Sequence, residues 1–360
     1  MASRQVLREL SRYQIGTYAD VIYRNALLYA NQEAFIYGKE RITFAEYNAR
    51  VNSLVHSLQS LGVKKNEVIG ISSWNSLEYV IVIGAAMKGG FLLSPYNPRV
   101  SLEGLDYLIN YSEANTLFVG PESVEIVTQL RPRLPVVKNF ISLEEPAPDM
   151  LCNAELLAAG SREEPDVQVQ DTDPLYILYT SGTTGVPRGA LYSHGHSIHD
   201  IRTRMTAMPL AAGDRHVLIL PLFHIAGMQT FQAFLYVGGT NIIMSSFDPK
   251  ATLQTIQDEK ATDLHIVPTN LAAIFAIPDF EKYDLSSLKG ILYAASPMPV
   301  ALLKRGMDIW GSIFCQFYGQ TESGPLVSCL NRKQHQVAYG SPEEQKLLVS
   351  IGQPCLGVHV

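Results

Sequence analysis

Cysteine is scarce and poorly placed for chemistry. The four cysteines, Cys152, Cys315, Cys329 and Cys355, form no C-x-x-C pair. That spacing excludes zinc-ribbon and thioredoxin-type readings and leaves reduced thiols of a cytoplasmic protein as the expectation. Long apolar runs are also missing. The richest, Tyr79 to Leu93, is broken by Lys88 and by glycines, and it is too short to span a bilayer, which leaves only peripheral membrane contact open. Met1-Ala2-Ser3-Arg4-Gln5 leads into no apolar signal core, and Glu9 speaks against a transit peptide. Without a secretory signal, the triplet Asn110-Tyr111-Ser112 carries no weight as a glycosylation acceptor. There is no excess of positive charge. A formal net charge of -6 repels phosphate polymers, so nucleic acid is not an expected partner. Coiled-coil heptads, short-period repeats and blocks of like charge are absent too, which leaves a scaffold role without support.

What remains is ordinary soluble-protein material of 360 residues, 47% hydrophobic and 17% charged, enough for two or three packed α/β units. Gly38 and Lys39 read as the turn of a hairpin closed by Ile42. Thr43-Phe44-Ala45-Glu46 then has capping-box spacing. Tyr47, Val51, Leu54, Val55, Leu58 and Leu61 follow at helical spacing, with Gly62 as the stop. Val68 to Ile71, Phe91 to Leu93 and Thr116 to Val119 read as buried strands. Helices starting near Ser76 and Ser101 separate them. Such strand-helix-strand units imply a parallel sheet covered on both faces. Residues 144–173 are rich in proline and acids and read as a connector. Strand candidates resume at Tyr176–Tyr179, Val217–Leu220, Asn241–Met244, Leu264–Val267, Ile291–Ala294 and Phe314–Phe317. The expected fold is α/β, with two doubly wound, mostly parallel sheets. One subdomain covers about 1–150, the other about 174–345, and a β-rich segment begins at about 350.

The strongest chemical signal is Tyr179-Thr180-Ser181-Gly182-Thr183-Thr184-Gly185-Val186-Pro187-Arg188-Gly189, directly after an apolar strand. Glycines let the backbone turn tightly, and hydroxyls add donors, so the segment suits anionic phosphate oxygens. It does not fit G-x-x-x-x-G-K-[ST], which disfavours a P-loop NTPase. The segment resembles the phosphate loop T-S-G-T-T-G-x-P-x-G of the adenylate-forming family: acyl- and aryl-CoA synthetases, luciferases and peptide-synthetase adenylation domains. That family usually has lysine where this chain has Arg188, a planar fork in place of a point donor.

Further segments extend the resemblance over residues 17–360. Phe317-Tyr318-Gly319-Gln320-Thr321-Glu322-Ser323-Gly324 is similar to the family's Y-G-x-T-E. The resemblance lays Tyr318 along adenine, with Gly319 and Gln320 beside it, puts Thr321 on the α-phosphate and makes Glu322 the Mg2+ ligand, a hard cation taking a carboxylate and phosphates. Ala294-Ala295-Ser296-Pro297 stands where the family often has Gly-Gly-Ala-Pro, so Ala295, Ser296 and Pro297 are expected to line the nucleotide. Pro221-Leu222-Phe223-His224-Ile225-Ala226-Gly227 resembles P-L-F-H-x-x-G, whose histidine gates the acyl pocket and the coenzyme A tunnel. Ile351-Gly352-Gln353-Pro354-Cys355-Leu356-Gly357 resembles the G-x-P-x-x-G stretch that opens the next segment.

The resemblance implies an AMP-forming acid–thiol ligase working in two half-reactions on a small carboxylic acid, ATP and coenzyme A. Positioning and charge neutralisation by Thr180–Gly185, Arg188, Thr321 and magnesium on Glu322 would carry the first step. The family's ribose-binding aspartate and its lysine-bearing small domain come after the point where this chain ends. The chain alone is therefore expected to bind nucleotide weakly and turn over poorly. No acidic residue occurs between Pro221 and Gly239, which argues against amino-acid substrates. Phe223, His224, Ile225, Ala226, Gly227, Met228, Phe231 and Val267 are the expected acyl pocket, some of them as plain core. A medium- or long-chain fatty acid is the first expectation. An aryl acid, an acyl-AMP ligase serving a carrier protein and a non-catalytic nucleotide- or acyl-binding module are the alternatives. A homodimer is the default assembly.

Overall fold

The computed structural model describes residues 15–180 and 187–359. It divides into two compact units. The first is the chain before Phe35 together with Glu40–Ile198, and the second is Phe35–Lys39 with His199 onward.

The first unit opens on α1 (Tyr18–Leu28), capped by Thr17 and Asp20 in a reciprocal box. β1 (Glu33–Tyr37), most of which belongs to the second unit's sheet, turns through Gly38 into β2 (Glu40–Thr43). Thr43 then caps α2 (Phe44–Ser60), its hydroxyl accepting from the Glu46 amide. The alternation continues with β3 (Val68–Ser72), α3 (Leu77–Gly89), β4 (Leu92–Tyr96), α4 (Leu102–Ser112), β5 (Thr116–Val119), α5 (Val124–Leu130) and β6 (Asn139–Ser142). Next come β7 (Leu151–Cys152), α6 (Asn153–Ala159), β8 (Pro174–Thr180) and β9 (Arg188–Ser193). The sheet order is β7-β6-β5-β3-β4-β8-β9, parallel except for the β8–β9 pair. Every residue of β5 is buried, as a strand covered on both faces requires.

The structure differs from the sequence expectation at two places here. Residues 144–173 are not all connector, because they hold β7 and α6. Ser53 and Ser57 of α2 hydroxyl-bond the Leu157 and Leu156 carbonyls of α6, which ties the segment down without an apolar period. The division between units also lies beyond residue 174. β8 pairs with β4 through Leu93 and Tyr176, so residues 174–193 complete the first sheet.

α7 (His194–Ala207) carries the chain across the division at Ile198. The second unit then runs through β10 (Arg215–Leu218), α8 (Ile225–Val237), β11 (Thr240–Ile243), α9 (Pro249–Glu259), β12 (Asp263–Ile266), α10 (Pro268–Phe275), β13 (Gly290–Tyr293) and α11 (Val300–Trp310). It closes on β14 (Phe314–Gln320), β15 (Gly324–Leu330) and β16 (Gln353–Pro354). Its sheet is ordered β16-β15-β14-β13-β12-β10-β11-β1, parallel from β14 to β1 and antiparallel beyond. An apolar core that includes Val217, Ile242, Leu264, Ile291 and Leu303 packs this sheet. All four cysteines are buried and free.

Candidate active site

In the first unit, β8 and β9 form an antiparallel hairpin in which Thr180 faces Arg188 and Tyr179 faces Gly189. The phosphate-loop candidate is the segment between these paired ends. Thr180 is half-buried at the end of its strand, and Arg188 is exposed at the start of the next. Ser181, Gly182, Thr183, Thr184 and Gly185 lie outside the described residues.

In the second unit, the Tyr-Gly-Gln-Thr-Glu segment is the head of the β14–β15 hairpin. Thr321, Glu322 and Ser323 make the turn between Gln320 and its partner Gly324. The Gln320 amide donates to Ser323 Oγ at 3.3 Å and holds the turn. The register slips between Tyr318 and Gln320, and here the two arms come so close that a Cβ on Gly319 would stand 2.4 Å from the Gly324 carbonyl oxygen. Glycine is required by that approach. Tyr318 is 38% exposed. Glu322 is exposed on the turn. Among the described residues no cluster of three or more His, Cys, Asp or Glu could hold a metal ion alone. A single turn carboxylate fits magnesium, which completes its shell with phosphates and water.

The Pro-Leu-Phe-His segment leads into α8. His224 is the N-cap residue, exposed and stacked obliquely on Phe223 at 4.8 Å. Phe223 and Met228 are buried, as is Phe231, while Val267 is half-buried ahead of α10. Gly227 lets α8 start against the preceding chain, since a Cβ there would be 2.2 Å from the Pro221 carbonyl oxygen. Ala295, Ser296 and Pro297 are exposed after β13, and Ala295 takes a left-handed φ of 73°.

These segments surround one cavity of about 40 Å3. Ala226 comes from the His224 segment, Ala294 from the segment after β13, Phe317 from the foot of the Tyr318 segment, and Pro325 and Leu326 from just past the Thr-Glu turn. Asp200, Arg204, Gln229, Thr230, His265 and Leu292 complete the wall. Phe223, His224, Gly227, Met228 and Val267 are not among the lining residues, so it is the opposite face of α8 that meets the cavity. Sequence reading had no period to find the rest. Asp200 and Arg204, four residues apart in α7, are half-buried and buried there.

A family model described as AMP-binding enzyme matches residues 22–360. This chain belongs to the AMP-binding enzyme family. A feruloyl-CoA synthase of Amycolatopsis is 34% identical over 312 residues, covering 86% of this chain and 60% of that protein. A medium/long-chain fatty-acid–CoA ligase of Mycobacterium tuberculosis is 29% identical over 343 residues, 92% of this chain and 57% of that protein. The chain thus spans about 60% of the length of the curated relatives it matches. The N-terminal domain of FACL13 from Mycobacterium tuberculosis shares the fold at a TM-score of 0.84 and 24% identity, with 95% of this chain and 83% of that one covered. The doubly wound, mostly parallel architecture expected from sequence is therefore the architecture of the family.

Within this AMP-binding enzyme the cavity is electrostatically unusual. Arg204 is almost wholly buried, and burial lowers its pKa to about 10, so it stays charged at neutral pH. Its guanidinium lies 5.7 Å from the Phe317 ring, and it forms no ion pair among the described residues. Burial raises Asp200 to about 7 and Asp263 to about 6. His216 is lowered to about 3, chiefly by burial and then by Arg204, and it stacks on Phe234 at 4.8 Å. The protein packed around His224 lowers its pKa as well, although part of the ring reaches solvent.

Proposed function

We propose that this chain supplies the nucleotide and acid sites of an ATP-dependent ligase. A carboxylate oxygen of the acid attacks the α-phosphorus of ATP, and pyrophosphate leaves with the electron pair. The resulting acyl adenylate is then attacked at its acyl carbon by the thiolate of coenzyme A, which expels AMP and gives a thioester. The observation that carries this reading is the convergence of three motif segments on a single cavity, through Ala226, Ala294 and Phe317, with Pro325 directly after the third. Joining an anion to a polyanion needs charge neutralisation and alignment more than a covalent nucleophile. By resemblance to the family's motifs, Thr180 to Gly185, Arg188 and Thr321 are assigned to neutralise the phosphates, Glu322 to hold magnesium, and Tyr318 with Ala295, Ser296 and Pro297 to flank the adenine. His224, two residues before the cavity-lining Ala226, is assigned by the same resemblance to the junction of acid and thiol.

For the acid itself, a cavity of about 40 Å3 whose accessible wall is mostly apolar has room for a compact apolar group rather than a long alkyl chain. The relative at 34% identity is named for an aromatic acid, which supports the same choice. The test is acid-dependent exchange of labelled pyrophosphate into ATP by the natural protein that carries this chain, across a panel of aryl and fatty acids. Exchange with at least one acid is expected, and Glu322→Ala should reduce it by about 100-fold or more. A protein that shows no exchange with any acid would refute the proposal.

A further inference from the structure

The cavity's accessible wall is mostly apolar, but two basic side chains that no nucleotide motif supplies stand in it. Arg204 of α7 and His265 of β12 both line the cavity, each only 5% exposed. They meet on one hydroxyl. Arg204 Nη1 donates to Thr230 Oγ1 at 3.0 Å, His265 Nδ1 lies 2.7 Å from the same oxygen, and that hydroxyl donates to the Ala226 carbonyl at 2.8 Å. A threonine hydroxyl has one hydrogen and two lone pairs. With its hydrogen on Ala226, it accepts from both neighbours. That contact places the ring hydrogen on Nδ1. Burial, then the nearby Arg204 and His216, hold this ring neutral. Nε2 is therefore a bare acceptor.

His265 Nε2 and Arg204 Nε are both buried and without a hydrogen-bond partner among the described residues. Such atoms cost about 1–3 kcal/mol each unless something satisfies them. One is an acceptor and the other a donor, and they belong to side chains lining the same cavity. A group that both accepts and donates answers both: a water, or a ligand hydroxyl that takes its place. A carboxylate cannot donate to Nε2, and it would meet the Asp200 carboxyl in the same wall. The cavity exceeds the roughly 10–15 Å3 that a single water needs, so a terminal hydroxyl fits where an extended chain does not. We propose that Arg204 and His265 are specificity-determining residues that select an acid with a hydroxyl at its far end, as on a phenolic ring. The hydroxyl accepts from Arg204 Nε and donates to His265 Nε2. This rests on the reading that the cavity takes the acid.

The experiment compares kcat/KM for pyrophosphate release by the natural protein with 4-hydroxycinnamate, cinnamate and 4-carboxycinnamate, and includes decanoate as an unrelated acid. The hydroxy acid is expected to exceed its deoxy analogue by about 100-fold, because the deoxy acid leaves both polar atoms unpaired. Arg204→Met and His265→Phe should shrink that ratio to about threefold. His265→Gln restores an acceptor oxygen and should recover part of it, which keeps the test decisive if the phenylalanine variant does not fold. The proposal is overturned if the variants slow both acids equally, if the ratio survives them, or if the 4-carboxy acid is preferred. Turnover of decanoate alone would overturn it and leave adenylation standing. Failure of every acid would remove both.

Discussion

Ala295 shows how much a single backbone angle carries. Its φ of 73° lies in the left-handed region, where a Cβ crowds the following carbonyl at a cost of about 1–2 kcal/mol. The residue directly follows the cavity-lining Ala294, so the strain sits beside the site. Ala295→Gly removes the clash but enlarges the unfolded ensemble by about 0.4–1 kcal/mol. A net gain of about 0.5–1 kcal/mol is expected, read as a higher denaturation midpoint at unchanged slope. Gly319 is the opposite case. A methyl there would press on the backbone of Gly324 and Pro325, neither of which can rotate away. Gly319→Ala should cost about 1–3 kcal/mol and cut acid-dependent pyrophosphate exchange, since the head of this hairpin carries Thr321 and Glu322. The sequence located both positions through motif resemblance. Which of them was strained and which was obligatory depended on a dihedral angle and on a cross-strand approach, and neither is written in residue type.

Elements were legible wherever burial imposed a period. The core of each strand candidate in the second half is a real strand, but β10 to β13 all start at least one residue earlier than their apolar run. Arg215, Thr240, Asp263 and Gly290 are already paired. A polar residue joins the ladder there because its backbone is satisfied by the neighbour, and hydropathy does not record that. The site's polar wall was illegible for a related reason. Gln229 and Thr230 lie on the buried α8, whose other residues are nearly all apolar, so no amphipathic stripe marks the face that meets the cavity. Placement of α8 turns instead on Gly227. Its missing side chain allows the helix start to rest on the carbonyls of Leu220 and Pro221, at 2.7 and 2.2 Å from where a Cβ would be. Gly227→Ala should therefore displace Ala226 and Thr230 together. The expected outcome is a loss of about 1–3 kcal/mol in denaturant titration, with KM for the acid raised more than KM for ATP. Equal changes in the two constants would indicate that α8 does not position the acid.

Over the whole molecule, the buried ionisable groups set the response to acid. Four buried histidines bind protons only after unfolding. Burial lowers His194 and His335 to about 4 and His216 to about 3, and it pushes His265 well below its ordinary value. Their folded pKa values are depressed, so their contribution is present above the unfolded value of about 6.5 and is lost as pH falls towards the folded values. Asp200 and Asp263 act in the opposite sense. Raised to about 7 and about 6, they stay protonated in the folded state where the unfolded chain has released the proton, so their contribution is present at low pH and is lost as pH rises through 6 to 7. Around pH 5 the four uptakes exceed the two releases, leaving about two protons taken up on unfolding. Stability should then fall by about 2–3 kcal/mol per pH unit between pH 6 and 5. The two units divide this response. His194 is the only one of the six in the first unit, whereas the second holds three histidines against two aspartates. Each unit is thus expected to contribute about one proton. Urea unfolding at pH 5.0, 5.5 and 6.0 gives the slope, and His194→Asn should reduce it by about one proton, or about 1.4 kcal/mol per unit. A flat profile over that range would mean that water or rearrangement charges these histidines inside the folded chain.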